Sequence, residues 1–304
     1  MNKKLEELIE CYHECEKCNQ PCDVVRGLKV LSLFDGISCA RVAIERAGFK
    51  VEDYFVSEID KYAIQISLKN FPDNIVIGDV KSVCGYDYTN IDLLIGGSPC
   101  QDLSIAKKNR EGLVGNRSSL FWEYVRILKK VKPKYFILEN VDSMPKEAKA
   151  IITETLGVEP IIINAALVSA QNRKRLFWTN IKGVTQPEDK EIYLKDILEN
   201  NVDAKYLVGK DFKLGNSLGN RVYVNPKKSV TLKALGGGGG AKTGLYLING
   251  EVRKLTPIEC ERLQGLPDNY TAGISNTQRY KCLGNAFNVD VVSHILSFIK
   301  EQND

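Results

Sequence analysis

An α/β fold on a parallel sheet is predicted for this chain by three observations. Short apolar runs alternate with helical patterns between Leu28 and Thr179. The runs are near-continuous, as in strands covered on both faces. Successive runs end in glycine or a carboxylate, which gathers polar chemistry on one rim of the sheet. The 304 residues, 43% hydrophobic and 26% charged, suffice for one large domain or a large one plus a small one. No apolar run approaches the length of a membrane span, and Met1-Asn2-Lys3-Lys4 leads into an acidic amphipathic segment, unlike a signal peptide. A cytoplasmic protein with no membrane partner is expected, in which nine cysteines are thiols or metal ligands, not disulfides.

Residues 1–27 read as a Cys-rich extension. Leu5, Leu8, Ile9 and Tyr12 fit one helical face, and Cys11, Cys15, Cys18 and Cys22 follow. Four closely spaced thiols can ligate zinc, or they mark an apolar helical stripe; Pro21 argues against a regular helix as far as Cys22.

Val30 to Phe34 is the first strand, followed by a turn at Asp35-Gly36-Ile37-Ser38 and a helix from Ala40 to Ala47. Tyr54 to Ser57 is a strand ending at Glu58, with a helix from Lys61 to Asn70. Ile75 to Ile77 is a third strand, ending at Gly78-Asp79. Gly36 permits close approach of a ligand, a carboxylate after the second strand can accept from ribose hydroxyls, and a further one suits the amine of adenine. G-x-G-x-x-G is absent, with Ser38 where a second glycine would stand. A nucleoside-bearing cofactor other than a dinucleotide is therefore expected.

Ile91 to Ile95 is a buried strand that delivers Gly96-Gly97-Ser98-Pro99-Cys100-Gln101 to the same edge. Cys100 stands there as a candidate nucleophile, beside a flap, Asp102 to Ser119, that carries Lys107, Lys108, Arg110 and Arg117. A basic loop next to a nucleophile suggests a lid over an anionic polymer. Leu120 to Lys130 is an amphipathic helix. Tyr135 to Leu138 is a strand ending in Glu139-Asn140-Val141. Ile161 to Leu167 and Leu176 to Thr179 are two more strands, with Gln171-Asn172-Arg173-Lys174-Arg175 between them. That makes seven strands, and residues 28–182 form the catalytic and cofactor-binding domain.

Past Gly183 the alternation fails. Short β pieces at Val222-Tyr223-Val224 and Leu245 to Ile248 lie among glycine-rich loops, and Lys205 to Lys233 holds seven basic residues against Asp211 alone. Residues 183–255 are read as a small, mostly β domain with a phosphate-facing stripe. The run Gly236 to Gly240 is either a flexible linker or a close backbone approach to DNA. Residues 256–304 supply C-terminal helices that return to the large domain.

A thiolate, a carboxyl group and two guanidiniums around one pocket suit attack on a pyrimidine. Addition of Cys100 to C6 makes C5 nucleophilic. Glu139 holds the N3/N4 edge, Arg175 grips O2, and Arg173 orients its loop or contacts phosphate. The electrophile is a sulfonium cofactor whose adenosine rests on Gly36, Glu58 and Asp79, and the target base must leave its duplex to enter.

Phe34-Asp35-Gly36-Ile37-Ser38, Gly78-Asp79-Val80, Gly97-Ser98-Pro99-Cys100-Gln101, Glu139-Asn140-Val141, Gln171-x-Arg173-x-Arg175 and Gly284-Asn285 follow in order. On these motifs, residues 28–302 resemble the DNA cytosine-5 methyltransferase family, of bacterial or phage type with similarity to the animal de novo enzymes. The resemblance implies a Rossmann-like S-adenosylmethionine-dependent methyltransferase sheet with a small target-recognition domain. It also implies Cys100 as nucleophile and Glu139 as ring-edge acid. Phe34 is then expected near the adenine, Glu58 on the ribose and Asp79 on the adenine amine. Leu120 and Asn285 complete a pocket to which Asp35, Ile37, Ser38, Ile59, Val80, Pro99 and Ala286 also belong. Ile105 and Ala106 in the flap and Leu218 in the Gly-rich loop fall where relatives place residues at the gap left by the flipped base, and Gln101 is expected to bind DNA. Leu218 departs from the polar side chain common there. Arg221 suits a guanine edge. Double-stranded DNA is the expected partner, bound by a monomer in a bacterial or phage-infected cell.

Three other readings compete. A tRNA methyltransferase would carry Cys-Phe-Thr after Glu-Asn-Val, which is absent here. A catalytically silent DNA-binding relative would lack Pro-Cys or the Glu, and both are present. A nicotinamide oxidoreductase would need the missing glycine fingerprint.

Overall fold

Seven strands form one sheet in the order β3-β2-β1-β4-β5-β7-β6. The structure, a computed structural model, describes residues 26–85, 88–99, 120–208, 215, 217, 219–224, 226–236 and 239–299. The strands are β1 (Leu28–Leu33), β2 (Val51–Ser57), β3 (Ile75–Val76), β4 (Leu93–Gly97), β5 (Tyr135–Val141), β6 (Ile161–Asn164) and β7 (Lys174–Thr179). The first five in space run parallel, while β7 is antiparallel to both β5 and β6. Strand order reverses between β1 and β4, and in open α/β sheets the crevice at such a switch point is where ligands bind.

Side chains alternate between two cores, as the period of a strand requires. Val30, Leu93, Ile95, Tyr135, Ile137 and Phe177 enter one core; Leu31, Leu33, Leu94, Phe136, Leu138, Leu176 and Trp178 enter the other. The first core is covered by α1 (Cys39–Arg46) and by the C-terminal helices α6 (Pro257–Leu263), α7 (Asn276–Asn285) and α8 (Val289–Ser297). The second lies under α3 (Leu120–Val131) and α4 (Lys146–Leu156). Two further helices are α2 (Lys61–Asn70) and the single turn α5 (Leu194–Ile197).

Several boundaries differ from the sequence reading for identifiable reasons. The strand expected over Ile161 to Leu167 stops at Asn164, whose side chain accepts from the amide of Ala166 and caps a 3-10 turn at Ala165–Leu167. The same oxygen accepts from the amide of Arg173, so β7 starts at Lys174, inside the stretch read as a loop.

Beyond Gly183 a separate three-stranded sheet is present, in the order β10-β9-β8. It comprises β8 (Val222–Val224), β9 (Leu245–Ile248) and β10 (Glu251–Lys254). β9 and β10 form a hairpin turning at Asn249 and Gly250, with φ of 52° and 82°, the positive pair that a tight two-residue turn demands. In the glycine run, the Gly240 amide donates to the Gly219 carbonyl at 2.8 Å, so the described part of this run packs against the neighbouring loop. Among the described residues no helix is long and apolar enough to cross a membrane.

Candidate active site

The carboxyl ends of β1 to β5 and the α7–α8 junction enclose a cleft of about 260 Å³. Its first wall is the turn after β1. Phe34, Gly36 and Ser38 all have positive φ, at 56°, 65° and 59°. Two non-glycine residues in this region mark a strained turn held by its surroundings. The holding group is Asp35. Its buried carboxylate accepts from the hydroxyls of Ser32 (2.6 Å), Ser38 (2.6 Å) and Tyr54 (2.7 Å). Burial pushes Asp35 up, against the pull of these three donors. Asp35 borders the cleft, but its carboxylate serves the turn. Ile37 and Ser38 are buried and do not line the cleft. Ser38 thus takes over the glycine's left-handed backbone and adds a hydroxyl the turn uses.

Glu58, at the end of β2, accepts from the amide of Gly36 (2.8 Å) through Oε2 and from those of Ile59 (2.7 Å) and Asp60 (2.8 Å) through Oε1. Three of its acceptor positions are therefore filled, and Oε2 keeps room for one further hydroxyl. Asp79, exposed after β3, gives one oxygen to the amide of Lys81 and keeps the rest of its carboxylate open. Next to Glu58 in the chain, Ile59 brings to the same cleft an apolar side chain that is 74% exposed. An apolar face sharing a cleft with two acceptors suits a flat nucleoside base with its hydroxyls and amine. Val80 and Leu120 complete this side.

Opposite stands the end of β4. A Cβ at Gly96 would lie 2.7 Å from the Leu33 carbonyl oxygen, and one at Gly97 would lie 2.9 Å from the Phe287 ring and 3.0 Å from Glu139 Oε2. The Gly-Gly pair is thus required by close approach on both sides. Ser98 is buried, and the Asn140 carboxamide donates to its hydroxyl (3.1 Å) and carbonyl (3.4 Å). This fixes the approach to Pro99, which lines the cleft.

Glu139 pairs with Gly97 in the sheet and is bridged by Arg175 Nε at 2.7 Å. Both side chains are largely buried and line the cleft. Arg173 is different. Its buried guanidinium donates to the carbonyls of Leu232 (3.2 Å), Gly284 (3.2 Å) and Ala286 (2.9 Å). Of the two roles expected for it, orienting its loop fits this burial and contacting phosphate does not. Asn285 and Ala286 form the remaining wall.

Arg221 is exposed at the start of β8 and outside the cleft. Cys100, Gln101, Ile105, Ala106, Leu218 and the cysteines Cys11, Cys15, Cys18 and Cys22 lie outside the described residues. Among the described residues no group of three or more His, Cys, Asp or Glu could hold a metal ion. Sequence reasoning missed Asp60, Lys281 and Phe287, which also line the cleft, and quoted Gly284 only as part of a motif. It quoted Asn140 in a motif without assigning it a task. Nothing local marks Lys281 or Phe287, because both reach the cleft only through the return of the C-terminal helices.

The chain matches the family model for C-5 cytosine-specific DNA methylases over residues 28–230 and 219–301. The chain belongs to that family. It is 30% identical to type II methyltransferase M.HhaI of Haemophilus parahaemolyticus, over 88% of this chain and 93% of that protein. It is also 30% identical to type II methyltransferase M.NlaX of Neisseria lactamica, over 90% and 96%. Among solved structures it is similar to the Entamoeba histolytica methyltransferase EhMeth, with a TM-score of 0.74 at 20% identity, covering 92% of this chain and 99% of that one. As a C-5 cytosine DNA methylase the protein uses S-adenosylmethionine, and the acids Glu58 and Asp79, with exposed Ile59 in the same cleft, fit its adenosine.

Proposed function

We propose that this methylase modifies C5 of a cytosine turned out of duplex DNA, with Cys100 as nucleophile and Glu139 as the acid beside the ring. The observation that carries this reading is the Glu139–Arg175 pair at 2.7 Å, facing the strand end that leads to Cys100. The Cys100 thiolate adds to C6 and forms the S–C6 bond, which moves electron density to C5. Glu139 gives a hydrogen bond or proton to N3, so that negative charge does not accumulate in the ring. Arg175 holds Glu139 in place and offers its remaining N–H groups to O2. Bound S-adenosylmethionine supplies the methyl group. Loss of the C5 proton to a base then expels the Cys100 sulfur and restores the aromatic ring.

Glu58, Asp79, Gly36, Phe34, Ile59 and Asn285 hold the adenosine; Arg173 acts by orienting the loop before β7. Ile105, Ala106 and Leu218 act at the gap left by the extruded base, Gln101 binds DNA, and Arg221 contacts a base edge. Residues 28–182 form the catalytic domain, residues 183–255 the target-recognition domain, and residues 256–304 close the first. The protein acts as a monomer on DNA in the cytoplasm. The type II methyltransferases it resembles over most of its length support DNA over tRNA as substrate.

Conversion sequencing of plasmid DNA from cells expressing the protein tests the activity and reads out the sequence context. A duplex carrying 5-fluorocytosine in that context is expected to trap the protein covalently in the presence of methyl donor, because the fluorine cannot leave as a proton does. Cys100→Ser is expected to abolish both trapping and methylation while S-adenosylhomocysteine still binds. Equal loss of binding would make Cys100 a structural residue, and trapping of the variant would move the nucleophile elsewhere.

A further inference from the structure

Two charged side chains on the rim of the cleft have no task in the mechanism above. Asp60 is the N-cap of α2, and its Oδ1 accepts from the amides of Tyr62 and Ala63. Its other oxygen, Oδ2, lies 2.5 Å from Nζ of Lys281 on α7, one turn before Asn285. The pair joins segments 221 residues apart and stands beside Glu58 and Ile59, all of them lining the cleft. Burial alone would push Asp60 up, but the Lys281 ammonium and the two amides hold it below the ordinary carboxylate range. Asp60 in turn raises Lys281. Both groups are therefore ionised at neutral pH, and solvent screens their fields only in part.

We propose that the Asp60–Lys281 pair sets the cleft's preference between S-adenosylmethionine and the S-adenosylhomocysteine left after methyl transfer, a role that rests on this cleft being the cofactor site. The donor's sulfonium carries a positive charge that the thioether of the product lacks, and the two are otherwise alike. A wall bearing Glu58 and Asp79 favours the donor by Coulomb attraction. The paired Asp60 and Lys281 add no net charge to that wall. Loss of Lys281 uncovers a further negative charge and strengthens the preference for the donor. Loss of the Asp60 charge uncovers a positive one and shifts the preference to the product. A unit charge uncovered on the wall of a partly wet cleft changes such a ratio roughly three- to ten-fold. A clasp that merely held the two walls together would change both affinities by the same factor.

Calorimetric titration of the full-length protein with each compound separately, without DNA, tests this. Lys281→Met is expected to move the ratio of the two affinities roughly three- to ten-fold toward S-adenosylmethionine, and Asp60→Asn to move it by a like factor toward S-adenosylhomocysteine. Asparagine caps a helix about as well as aspartate, so α2 is retained. Lys281→Arg is expected to keep the original ratio. If Asp60→Asn does not fold, the Met and Arg variants of Lys281 decide between themselves. Ratios that stay fixed, or that move the same way in both charge-removing variants, overturn the proposal. Failure of the unaltered protein to bind either compound overturns instead the reading of the cleft as a cofactor site.

Discussion

The carboxamide of Asn140 donates to the carbonyl and hydroxyl of Ser98, and its oxygen accepts from the amide of Val141. One buried side chain thus ties the end of β4 to the end of β5, the two elements that carry Cys100 and Glu139. Asn140→Ala leaves the Ser98 carbonyl without its donor and frees the approach to Pro99. A displacement of about 1 Å between reacting groups costs on the order of a hundred-fold in rate. Single-turnover methylation is expected to fall by about that factor, while S-adenosylhomocysteine affinity stays within roughly two-fold. A loss wholly in affinity would make Asn140 a cleft wall and not a support. At this scale the sequence was legible where chemistry is local and opaque where it is not. Asp35 and Glu58 both follow a strand and look alike on paper. Only the fold turns Asp35 inward onto Ser32, Ser38 and Tyr54 while Glu58 stays at the rim. Arg173 and Arg175 are equally basic, yet the partners of Arg173 at Leu232, Gly284 and Ala286 lie up to 113 residues away.

Among elements, the central strands β1, β4 and β5 could be read because they are buried on both faces and end in a recognisable turn, while the edge strand β3 exposes both of its residues. The parallel direction of β1 to β5 was read from their common rim, but that of β7 was not: it is antiparallel to both neighbours and follows β6 through the link at Asn164 to Lys174. C-terminal helices were expected over residues 256–304, but the helix α7 at Asn276–Asn285 was not singled out among them. Thr256, Pro257 and Glu259 form a complete capping box, with the Glu259 carboxylate also bridged by both terminal nitrogens of Arg253 at 2.7 and 2.8 Å. What α7 touches was not visible. A Cβ at Gly284 would sit 2.2 Å from the backbone of Lys233 and Ala234, which no rotamer change relieves. Gly284→Ala must push the 233–234 segment away from the α7–α8 junction. The expected cost is about 3 kcal/mol, at the upper end for overpacking in a rigid site. A denaturant midpoint within error of the unaltered protein would show that the two backbones separate freely.

For the molecule as a whole, the end of the large sheet was legible as the point where helix and strand stop alternating, and the three-stranded sheet β8 to β10 lies beyond it. The way α6 to α8 close the first core was not legible, because their contacts span most of the chain. The fold also dictates how stability responds to acid. Asp73, beside the Arg41 guanidinium, and Asp268, beside that of Arg262, are held below the ordinary carboxylate range, and Asp60 is lowered by Lys281 and its helix amides once the opposing effect of burial is overcome. A carboxylate depressed in the folded state stabilises above its unfolded pKa of about 3.9, and that contribution is lost as pH falls through the folded value. Asp35 has the opposite sign. Burial raises it, so the folded protein takes up its proton first and gains stability as pH falls toward the unfolded value. The urea midpoint is therefore expected to drop below about pH 4, the unfolded carboxylate range, after the gain from Asp35, which accrues above that range. Because the carboxylates of Asp73 and Asp268 are largely solvent-exposed, each pair contributes only about 0.5 kcal/mol. Asp268→Asn should flatten the acid limb by about that amount and leave the neutral-side slope alone, whereas Asp35→Asn should remove the gain that precedes the acid limb. An acid limb unchanged in Asp268→Asn would mean that the Arg262 pair persists in the unfolded chain or that other carboxylates carry the transition.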